Sequence, residues 1–333
     1  MAQPTNVYSA YDASGTTGVG LGNREDLSDI IYNISPTDTP FLSAIGKGPA
    51  AKNTYYEWQT DELAAAVTTN AQLEGDNITT TDALTPTTRV GNFTQIMRKL
   101  VTVSGTMSAV DQAGVKSALS YELAKKSQEL KRDQEATLTS DQAAVAGGTS
   151  TARKTAALGA WIITNSYGNG GGFAQPIMSG GGLIGYPTTA AAAGTARAFT
   201  KTLLNTAAQA VWTNGGKPNW LMVGPYNKTV FSTFTGVATL YKDVPKGMGT
   251  VVGATDVYVS DFGEIYCTPN RFQPEGTAYL VDPDYASVSA LRPYKTEVLA
   301  KTADAERRML IWEGGLRVNQ QKAFAAIRSL LTA

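Results

Sequence analysis

Two strand-like segments near the start of this chain are separated by a polar stretch that a compact domain could not easily enclose. Residues 53–60 alternate Tyr56 and Trp58 with polar neighbours, and residues 89–104 return as a second strand pattern. Residues 61–88 between them contain few bulky apolar side chains, and loops of this length usually act on something outside themselves. The pattern predicts a long two-stranded β-ribbon that projects from the body. Because such a ribbon is barely stable alone in water, it needs a partner.

The strongest helical pattern covers residues 117–139, where leucines recur on one side of the predicted helix. Ser117 is a suitable N-cap, and a helix of this length would span about 35 Å, the diameter of a small domain. Because the apolar stripe is narrow, we expect one flank to pack on a sheet and the rest to face solvent or neighbouring molecules. The stripe consists of Leu119, Leu123, Leu130 and Leu138.

The remainder of the chain mixes short helices and strands without the regular βαβ order of a doubly wound fold, so the predicted fold class is α+β. Residues 1–23 are predicted to form an extended arm, residues 24–34 carry a short helical pattern, and residues 147–200 are rich in Gly, Ala and Thr. The predicted helices are 200–214 and 226–234; the predicted strands are 220–223, 257–260, 264–267, 277–281, 307–312 and 316–319, with a strand or short helix at 322–330.

The residue types that carry most enzyme chemistry are missing or isolated. The chain has no histidine, which excludes Ser-His-Asp and Cys-His catalysis and histidine-based zinc or iron sites. Its one cysteine, Cys267, cannot form an intrachain disulfide and is expected to be a small, semi-buried hydrophobe. The GxGxxG spacing at 180–185 precedes Tyr186 and Pro187, which oppose a helix, so it is interpreted as a flexible glycine loop on a surface excursion. No cofactor or metal ion is predicted.

Paired carboxylates keep one enzymatic alternative open. Asp282 with Asp284, or Asp61 with Glu62, could supply the two acids of a glycoside hydrolase, since sequence leaves open which acids meet in space. The simpler interpretation of Asp282-Pro283-Asp284 is a turn. A His-free, carboxylate-dependent hydrolase therefore remains an alternative from a different functional class.

The charge balance argues against general binding of nucleic acid or of an anionic membrane. Lys and Arg together number 28, as do Asp and Glu, for a formal net charge of zero. Charged residues make up 17% of the chain, below the roughly 25% of typical soluble domains, which suggests a surface covered by something else, such as copies of itself. No apolar run approaches the roughly 20 residues of a membrane span, and no signal-peptide pattern is present. We therefore expect no membrane partner and synthesis in a cytoplasm.

Seven segments, taken in order, carry a family resemblance. They are DLSDIIYNISPTDTPFLSAIG (26–46), RVGNFTQIMRKLVTVSGT (89–106), ELAKKSQELKRDQEATL (122–138), VYVSDFGEIYCTPNRF (257–272), YLVDPDY (279–285), LRPY (291–294) and LAKTADAERRMLIWEGGLRV (299–318). In these segments the chain resembles the major capsid protein of tailed bacteriophages, with its Hong-Kong-97-like fold, and more narrowly the phage SU-ten-type branch. The segments cover most of the chain from residue 26 onward, and residues 147–197 match least.

The resemblance implies a shell-forming protein in five parts. Many copies would form hexamers and pentamers of an icosahedral shell around packaged double-stranded DNA, without sequence-specific contact, assembled in the host bacterial cytoplasm and retained in the virion. Portal, scaffolding and cement or decoration proteins are the further partners it implies. A nanocompartment shell of the encapsulin type, with the same fold and no packaged DNA, is the second alternative. The five parts are an N-terminal arm (1–50), an extended loop formed by the ribbon (51–105), a peripheral domain with the long spine helix (106–150), an axial domain (151–298) and C-terminal strands that return to both domains (299–333).

The charges of the ribbon predict where it docks on a neighbouring copy. Residues 53–98 carry six acids against two arginines, a formal charge of −4, so we expect a basic receiving surface, for which the long helix offers four bases. No lysine lies between Lys52 and Lys99. The ribbon therefore cannot donate the isopeptide bond by which some family members weld their shells, and we expect a non-covalent shell. The predicted intersubunit contacts are Glu57, Asp61, Glu62, Glu74, Asp76, Asp82, Arg89, Lys125, Lys126, Lys131 and Arg132.

Overall fold

A computed structural model describes residues 35–71, 74–75, 84, 86–110, 114–234, 256–301 and 303–333. The predicted arm at 1–23 and the helical segment at 24–34 lie outside the described residues. The α-helices are α1 (Pro40–Ala44), α2 (Gly105–Ala109), α3 (Ala118–Thr139), α4 (Leu158–Trp161), α5 (Lys201–Thr213) and α6 (Pro225–Ser232). The strands are β1 (Gly46–Lys47), β2 (Tyr55–Thr60), β3 (Thr88–Phe93), β4 (Gln95–Ser104), β5 (Ser166–Tyr167), β6 (Ile177–Met178), β7 (Pro187–Thr189), β8 (Trp220–Val223), β9 (Val257–Ser260), β10 (Gly263–Pro269), β11 (Ala278–Val281), β12 (Ala286–Val298), β13 (Ala305–Val318) and β14 (Ala325–Ile327).

Strands β2 and β3 form the predicted ribbon and pair antiparallel from Tyr55 opposite Phe93 outward. The sequence pattern predicts a single returning strand, but the structure has two, β3 and β4, because Thr94 interrupts the strand. Thr94 is fully buried, and its N–H donates to the backbone oxygen of Thr54 at 2.9 Å. Beyond Thr94 the chain changes partner, and β4 pairs with β13. The ribbon therefore leaves the body at a defined bend.

A four-stranded sheet in the order β1-β12-β13-β4 lies against helix α3. The helix begins where the sequence predicts it, with the Ser117 side chain as N-cap. Of the predicted stripe, Leu130 and Leu138 are buried, and Leu119 and Leu123 are half-buried, so the contact with the sheet is as narrow as expected. The apolar cluster between helix and sheet consists of Met97, Leu130, Leu310 and Trp312.

Strand β13 is continuous where the sequence pattern predicts two strands, at 307–312 and 316–319. The two glycines between them do not end the strand, because both pair in register with β12. The glycines instead allow neighbouring side chains to approach the strand closely. A Cβ atom on Gly315 would lie 2.5 Å from Thr155 Oγ1 and 2.7 Å from the Tyr56 hydroxyl, so only glycine fits at this position of the strand.

A six-stranded sheet in the order β5-β14-β11-β8-β10-β9 forms the second lobe, with α5 and α6 packed on it. Its elements match those predicted from residues 200–281, and Thr200 caps α5 through its side chain. The final segment, 322–330, contains the end of a single 3-10 turn at Gln321–Ala323 and the short strand β14. The buried apolar side chains of this core include Leu204, Val211, Leu221, Phe231, Ile265, Leu280 and Ile327.

The glycine-rich loop at 180–185 is exposed at residues 180–182, as a surface loop is, but its last residue is bonded to the ribbon. The N–H of Gly185 donates to the backbone oxygen of Arg89, and its oxygen accepts from the N–H of Gly91, both at 2.9 Å. Gly185 has a φ of +90°, a backbone conformation that favours glycine. Tyr186 then packs against two aromatic rings at the start of the ribbon. The loop therefore braces the ribbon where it leaves the body.

Candidate intersubunit surface

The chain beyond the paired part of the ribbon carries large apolar side chains in contact with solvent. Leu63 is 99% exposed, Val67 68% and Leu84 98%. Residues 61–71 belong to no strand. Burying one such side chain fully is worth about 1.5–3 kcal/mol, so this segment gains free energy when another molecule covers it.

The root of the ribbon, by contrast, is bonded firmly to the body. The Tyr56 hydroxyl donates to the backbone oxygen of Leu316 at 2.8 Å, and Trp58 Nε1 donates to that of Val318 at 3.0 Å. The fully buried Asn92 also donates to the Leu316 oxygen, at 2.7 Å. Because these bonds join residues far apart in the sequence, tertiary contacts set the direction in which the exposed segment projects.

A buried carboxylate holds the bend between ribbon and sheet. Glu313, with a side chain only 4% exposed, accepts from Thr94 Oγ1 at 3.0 Å, from Arg153 at 2.5 Å and from Arg292 Nε at 2.7 Å. Burial alone would raise the pKa of Glu313, but the hydrogen bonds from Arg292 and Thr94 and the two guanidinium charges outweigh it and lower the pKa. The carboxylate therefore stays ionised at neutral pH and ties three separate segments together.

Two of the predicted acidic contacts already have partners within the subunit. Glu57 Oε2 lies 3.9 Å from Arg89 Nη1 across the ribbon, and Glu62 Oε2 lies 2.5 Å from Lys322 Nζ. Since at least one member of each pair is exposed, each pair is worth at most about 1 kcal/mol, and a base from another molecule could replace the partner. Of the remaining acids, Asp61 and Glu74 are exposed, and Asp76 and Asp82 lie outside the described residues.

The four predicted bases of helix α3 do not form one free cationic patch. Lys125 and Lys131 are exposed, whereas Lys126 Nζ binds a carboxylate one turn along the helix at 2.8 Å. The guanidinium of Arg132 lies 5.5 Å from the centroid of the Phe272 ring. Among the described residues, no ion pair joins a ribbon acid to any of these four bases. Lys125 and Lys131 are therefore the bases best placed to meet another molecule.

A second basic surface, which sequence reasoning misses, lies on the face of the four-stranded sheet opposite α3. Ile96 is 48% exposed and Leu100 54%, and the strand register places Arg98 between them, opposite Ile311. Arg307 lies on the same face, further along β13. The sequence signal for this surface is the period-two alternation of side chains along β4. Because both faces of this strand carry apolar residues, the sequence does not distinguish the covered face from the open one.

Asp282, one of the carboxylates considered for catalysis, serves the fold instead. Asp282 accepts hydrogen bonds from the backbone N–H groups of Lys217 and Asp284, as its predicted role in a turn requires. Burial raises the pKa of the Cys267 thiol to about 12, so the thiol stays protonated. In the part of the chain that the structure describes, no three His, Cys, Asp or Glu side chains are grouped closely enough to hold a metal ion. No helix there has both the length and the apolar content to cross a membrane.

Comparison with known proteins points to a single protein family. The family model of the SU10 major capsid protein matches residues 5–331. A protein of Escherichia phage Phieco32, named major capsid protein, is 29% identical over an alignment of 356 residues that covers 95% of this chain and 95% of that protein.

Solved structures share the fold at low sequence identity. The capsid chain of a native GTA particle aligns with a TM-score of 0.60 and 10% identity, over 98% of this chain and 100% of that one. A chain of the SrpI encapsulin complex from Synechococcus elongatus aligns with a TM-score of 0.53 and 12% identity, over 94% of each chain. At these identities the likeness concerns the fold alone, and it confirms the α+β, Hong-Kong-97-like fold that the sequence resemblance implies.

The family match decides between the functional classes that the sequence leaves open. It spans nearly the whole chain, and the family consists of structural proteins rather than enzymes. The hydrolase alternative is therefore unsupported, and the encapsulin alternative rests only on the shared fold. The chain belongs to the SU10 major capsid protein family and is a structural component of the icosahedral capsid of a tailed-phage virion.

Proposed function

We propose that each copy lays the exposed segment beyond β2 across an adjacent copy, and that this contact repeats through the hexamers and pentamers of the shell. The observation that carries the proposal is the near-complete exposure of Leu63 and Leu84 on a ribbon whose root is bonded into the body. Because the root is already fixed, docking does not have to order it, and this lowers the entropic cost of assembly.

Charge complementarity supports docking on helix α3 of the neighbour. The formal charge of −4 on residues 53–98 favours a basic receptor, and opposite charges around an apolar contact fix its register. Lys125 and Lys131 lead the predicted receptor because they are exposed, with Lys126 and Arg132 beside them on the helix. The basic face around Arg98 is the competing receptor, and charge reversal on either surface distinguishes the two.

We also propose a division of the subunit that follows its two sheets. The N-terminal arm (1–50), extended loop (51–105), peripheral domain (106–150), axial domain (151–298) and C-terminal strands (299–333) remain the working assignment. The four-stranded sheet beside α3 draws β1, β4 and β12 from the arm, extended-loop and axial ranges. These three strands are therefore assigned, with α3 and β13, to the peripheral domain.

Substitution in the exposed segment tests the docking proposal. Leu63→Asp removes an apolar contact worth about 1.5–3 kcal/mol per subunit once buried, and Asn70→Asp adds the same charge at a polar position of the same segment. We expect Leu63→Asp to leave the subunit folded and to abolish shells seen by size-exclusion chromatography and negative-stain microscopy, whereas Asn70→Asp assembles. Normal shells from Leu63→Asp would contradict the proposal.

The packaged content of the shell is a separate part of the proposal. A chain with a formal net charge of zero does not neutralise phosphate, so it suits a wall that confines double-stranded DNA without sequence-specific binding. We place assembly in the host bacterial cytoplasm, with portal, scaffolding and cement or decoration proteins as further partners. Nuclease-protected DNA of genome length inside purified particles would support this; particles that never contain nucleic acid would favour a nanocompartment shell.

A further inference from the structure

An apolar groove lies between α1, the second half of α3 and β12, and shares Lys131 with the surface proposed to receive the ribbon. Its volume is about 490 Å³, within the range of sites that enclose a ligand or several side chains. Tyr294, on its wall, is 48% exposed, so the groove presents apolar surface to solvent. The larger apolar side chains of its lining are Leu42, Ile45, Val288, Pro293, Tyr294 and Trp312.

The walls of the groove are held in place by buried polar contacts. Glu135 of α3 is fully buried and accepts from the backbone N–H groups of Phe41 at 2.9 Å and Leu42 at 2.8 Å, which anchors α1 on α3. On the other wall, the Tyr294 hydroxyl is hydrogen-bonded to the Gln134 side chain of the same helix. The groove is therefore formed before anything enters it.

The rim of the groove is basic. Lys47 and Lys131 both line it and are exposed, and neither has an ion-pair partner among the described residues. The occupant that fits this groove presents an apolar stripe flanked by acids.

We propose that residues 24–34 of the same subunit occupy this groove. Their sequence, REDLSDIIYNI, places four aliphatic side chains on one side of the helical pattern and carries one arginine against three acids, a formal charge of −2. An apolar stripe with an acidic flank matches an apolar groove with a basic rim. The aliphatic side chains are Leu27, Ile30, Ile31 and Ile34.

The connection is short enough for docking within one subunit. Residue 34 precedes the groove-lining Thr39 by five residues, which span at most about 17 Å when extended. Pro36 lies in this connector and interrupts a helix, so the segment can turn back onto the groove. A short tether also gives a high effective concentration at the groove. Lys131 then faces the arm of its own subunit, and Lys125 is left to receive the ribbon.

A thiol reporter in the groove tests this assignment in unassembled subunits, so the result does not depend on shell formation. Ser43→Cys places a thiol on the groove wall, and Cys267, which is buried with a raised pKa, does not compete for the reagent. The alkylation rate of the introduced thiol is measured with the segment intact, with Ile31→Asp, and with Asn33→Asp on the polar side. Lys131→Glu replaces one basic charge of the rim by an acidic one.

Occupancy by residues 24–34 predicts slow alkylation in the Ser43→Cys chain. We expect Ile31→Asp to raise the alkylation rate about tenfold or more, because the loss of one modest apolar contact lowers the equilibrium constant for docking about tenfold. Lys131→Glu should raise the rate by a smaller factor, and Asn33→Asp should leave it unchanged. Equal rates with and without Ile31→Asp overturn the proposal. Protection that appears only in assembled shells also overturns it, and would assign the groove to a segment of a neighbouring copy.

Discussion

Glu313 shows how one side chain connects the parts of this subunit. Its carboxylate binds Thr94 at the bend of the ribbon, Arg153 before α4 and Arg292 of β12. A buried ion with several charge-assisted hydrogen bonds is costly to leave half-paired, because the remaining charges lose their partners without regaining water. The position of the ribbon relative to the sheet therefore depends on this residue.

Glu313→Gln tests that dependence. The amide keeps the shape of the side chain but loses the charge that two arginines bind, so we expect the free energy of unfolding to fall by about 2 kcal/mol. Urea denaturation of unassembled subunits, with an unchanged slope, measures the loss. Glu297→Gln is the matched control on the same sheet, since Glu297 pairs with an exposed lysine and should cost under about 1 kcal/mol. Equal effects of the two substitutions would contradict the role assigned to Glu313.

The pH dependence of stability should carry the same signature. Because the pKa of Glu313 is lowered in the folded chain, its ionised form stabilises the fold above the usual glutamate pKa of about 4.3, and this contribution is lost as the pH falls through the lowered pKa. We expect the stability difference between the parent chain and Glu313→Gln to be constant from about pH 7 to pH 5 and to shrink towards about pH 3. Urea titrations at these pH values measure it; a difference that persists unchanged at acid pH would argue against the ionised carboxylate as its source.

At the level of single elements, helix α3 separates the covered side of the subunit from the side available to neighbours. Leu130 and Leu138 pack inward, and Lys125 faces solvent. The apolar periodicity predicts this division correctly because it depends on spacing within one helix. Local spacing does not predict which charges are already paired within the subunit, as Lys126 is with Glu129.

Charge reversal on α3 tests its role as the receptor of the ribbon. Lys125→Glu with Lys126→Glu places acids opposite an acidic segment, and like charges at an interface oppose association. We expect folded subunits, judged by circular dichroism and thermal unfolding, that fail to form shells. The control reverses two exposed lysines elsewhere, Lys154→Glu with Lys301→Glu, and should assemble.

A second double variant, on the face of the sheet opposite α3, completes this test. Normal shells from the α3 double variant, together with failed assembly of Arg98→Glu with Arg307→Glu, would move the receptor to the face of the sheet opposite α3. The α3 surface and the opposite sheet face belong to one layer of helix and sheet. The stability of the unassembled subunit is therefore the reference against which the assembly of both variants is compared.

At the level of the whole molecule, the subunit is stable in its body and incomplete at its ribbon. The two sheets enclose continuous apolar cores, whereas Leu63 and Leu84 have nothing to cover them in the described part of one copy. Under the proposed docking, each subunit covers a neighbour and is covered by one, and would gain its remaining stability from the shell.

We therefore expect the shell to be stabilised entirely by non-covalent contacts. No lysine lies in the ribbon between Lys52 and Lys99, so an isopeptide bond has no donor there. We expect purified particles to run at the mass of a single chain after boiling in denaturing detergent. A ladder of multimers, with cross-linked peptides that map to the ribbon, would show that the shell is welded through this loop.

Much of this architecture is already present in local sequence. The ribbon strands, helix α3 with its Ser117 cap, and the elements of the second lobe follow from spacings of a few residues, which act before any tertiary contact forms. The order of the motif segments was sufficient to indicate the capsid family. The sequence pattern does not reveal strand β12, since Pro293 lies at an irregularity in its pairing with β13 and interrupts the alternation that marks a strand.

Tertiary structure alone decided which distant residues meet. Gly315 stays within a strand because Thr155 and Tyr56 approach it, the loop ending at Gly185 binds the ribbon, and Glu313 collects partners from three other segments. Each of these features requires contact between segments that are distant in the sequence. The spacing of residues within one segment does not predict such contacts. Local periodicity determined the elements of this protein, whereas long-range packing determined how the ribbon is held and which of its charges remain for a neighbour.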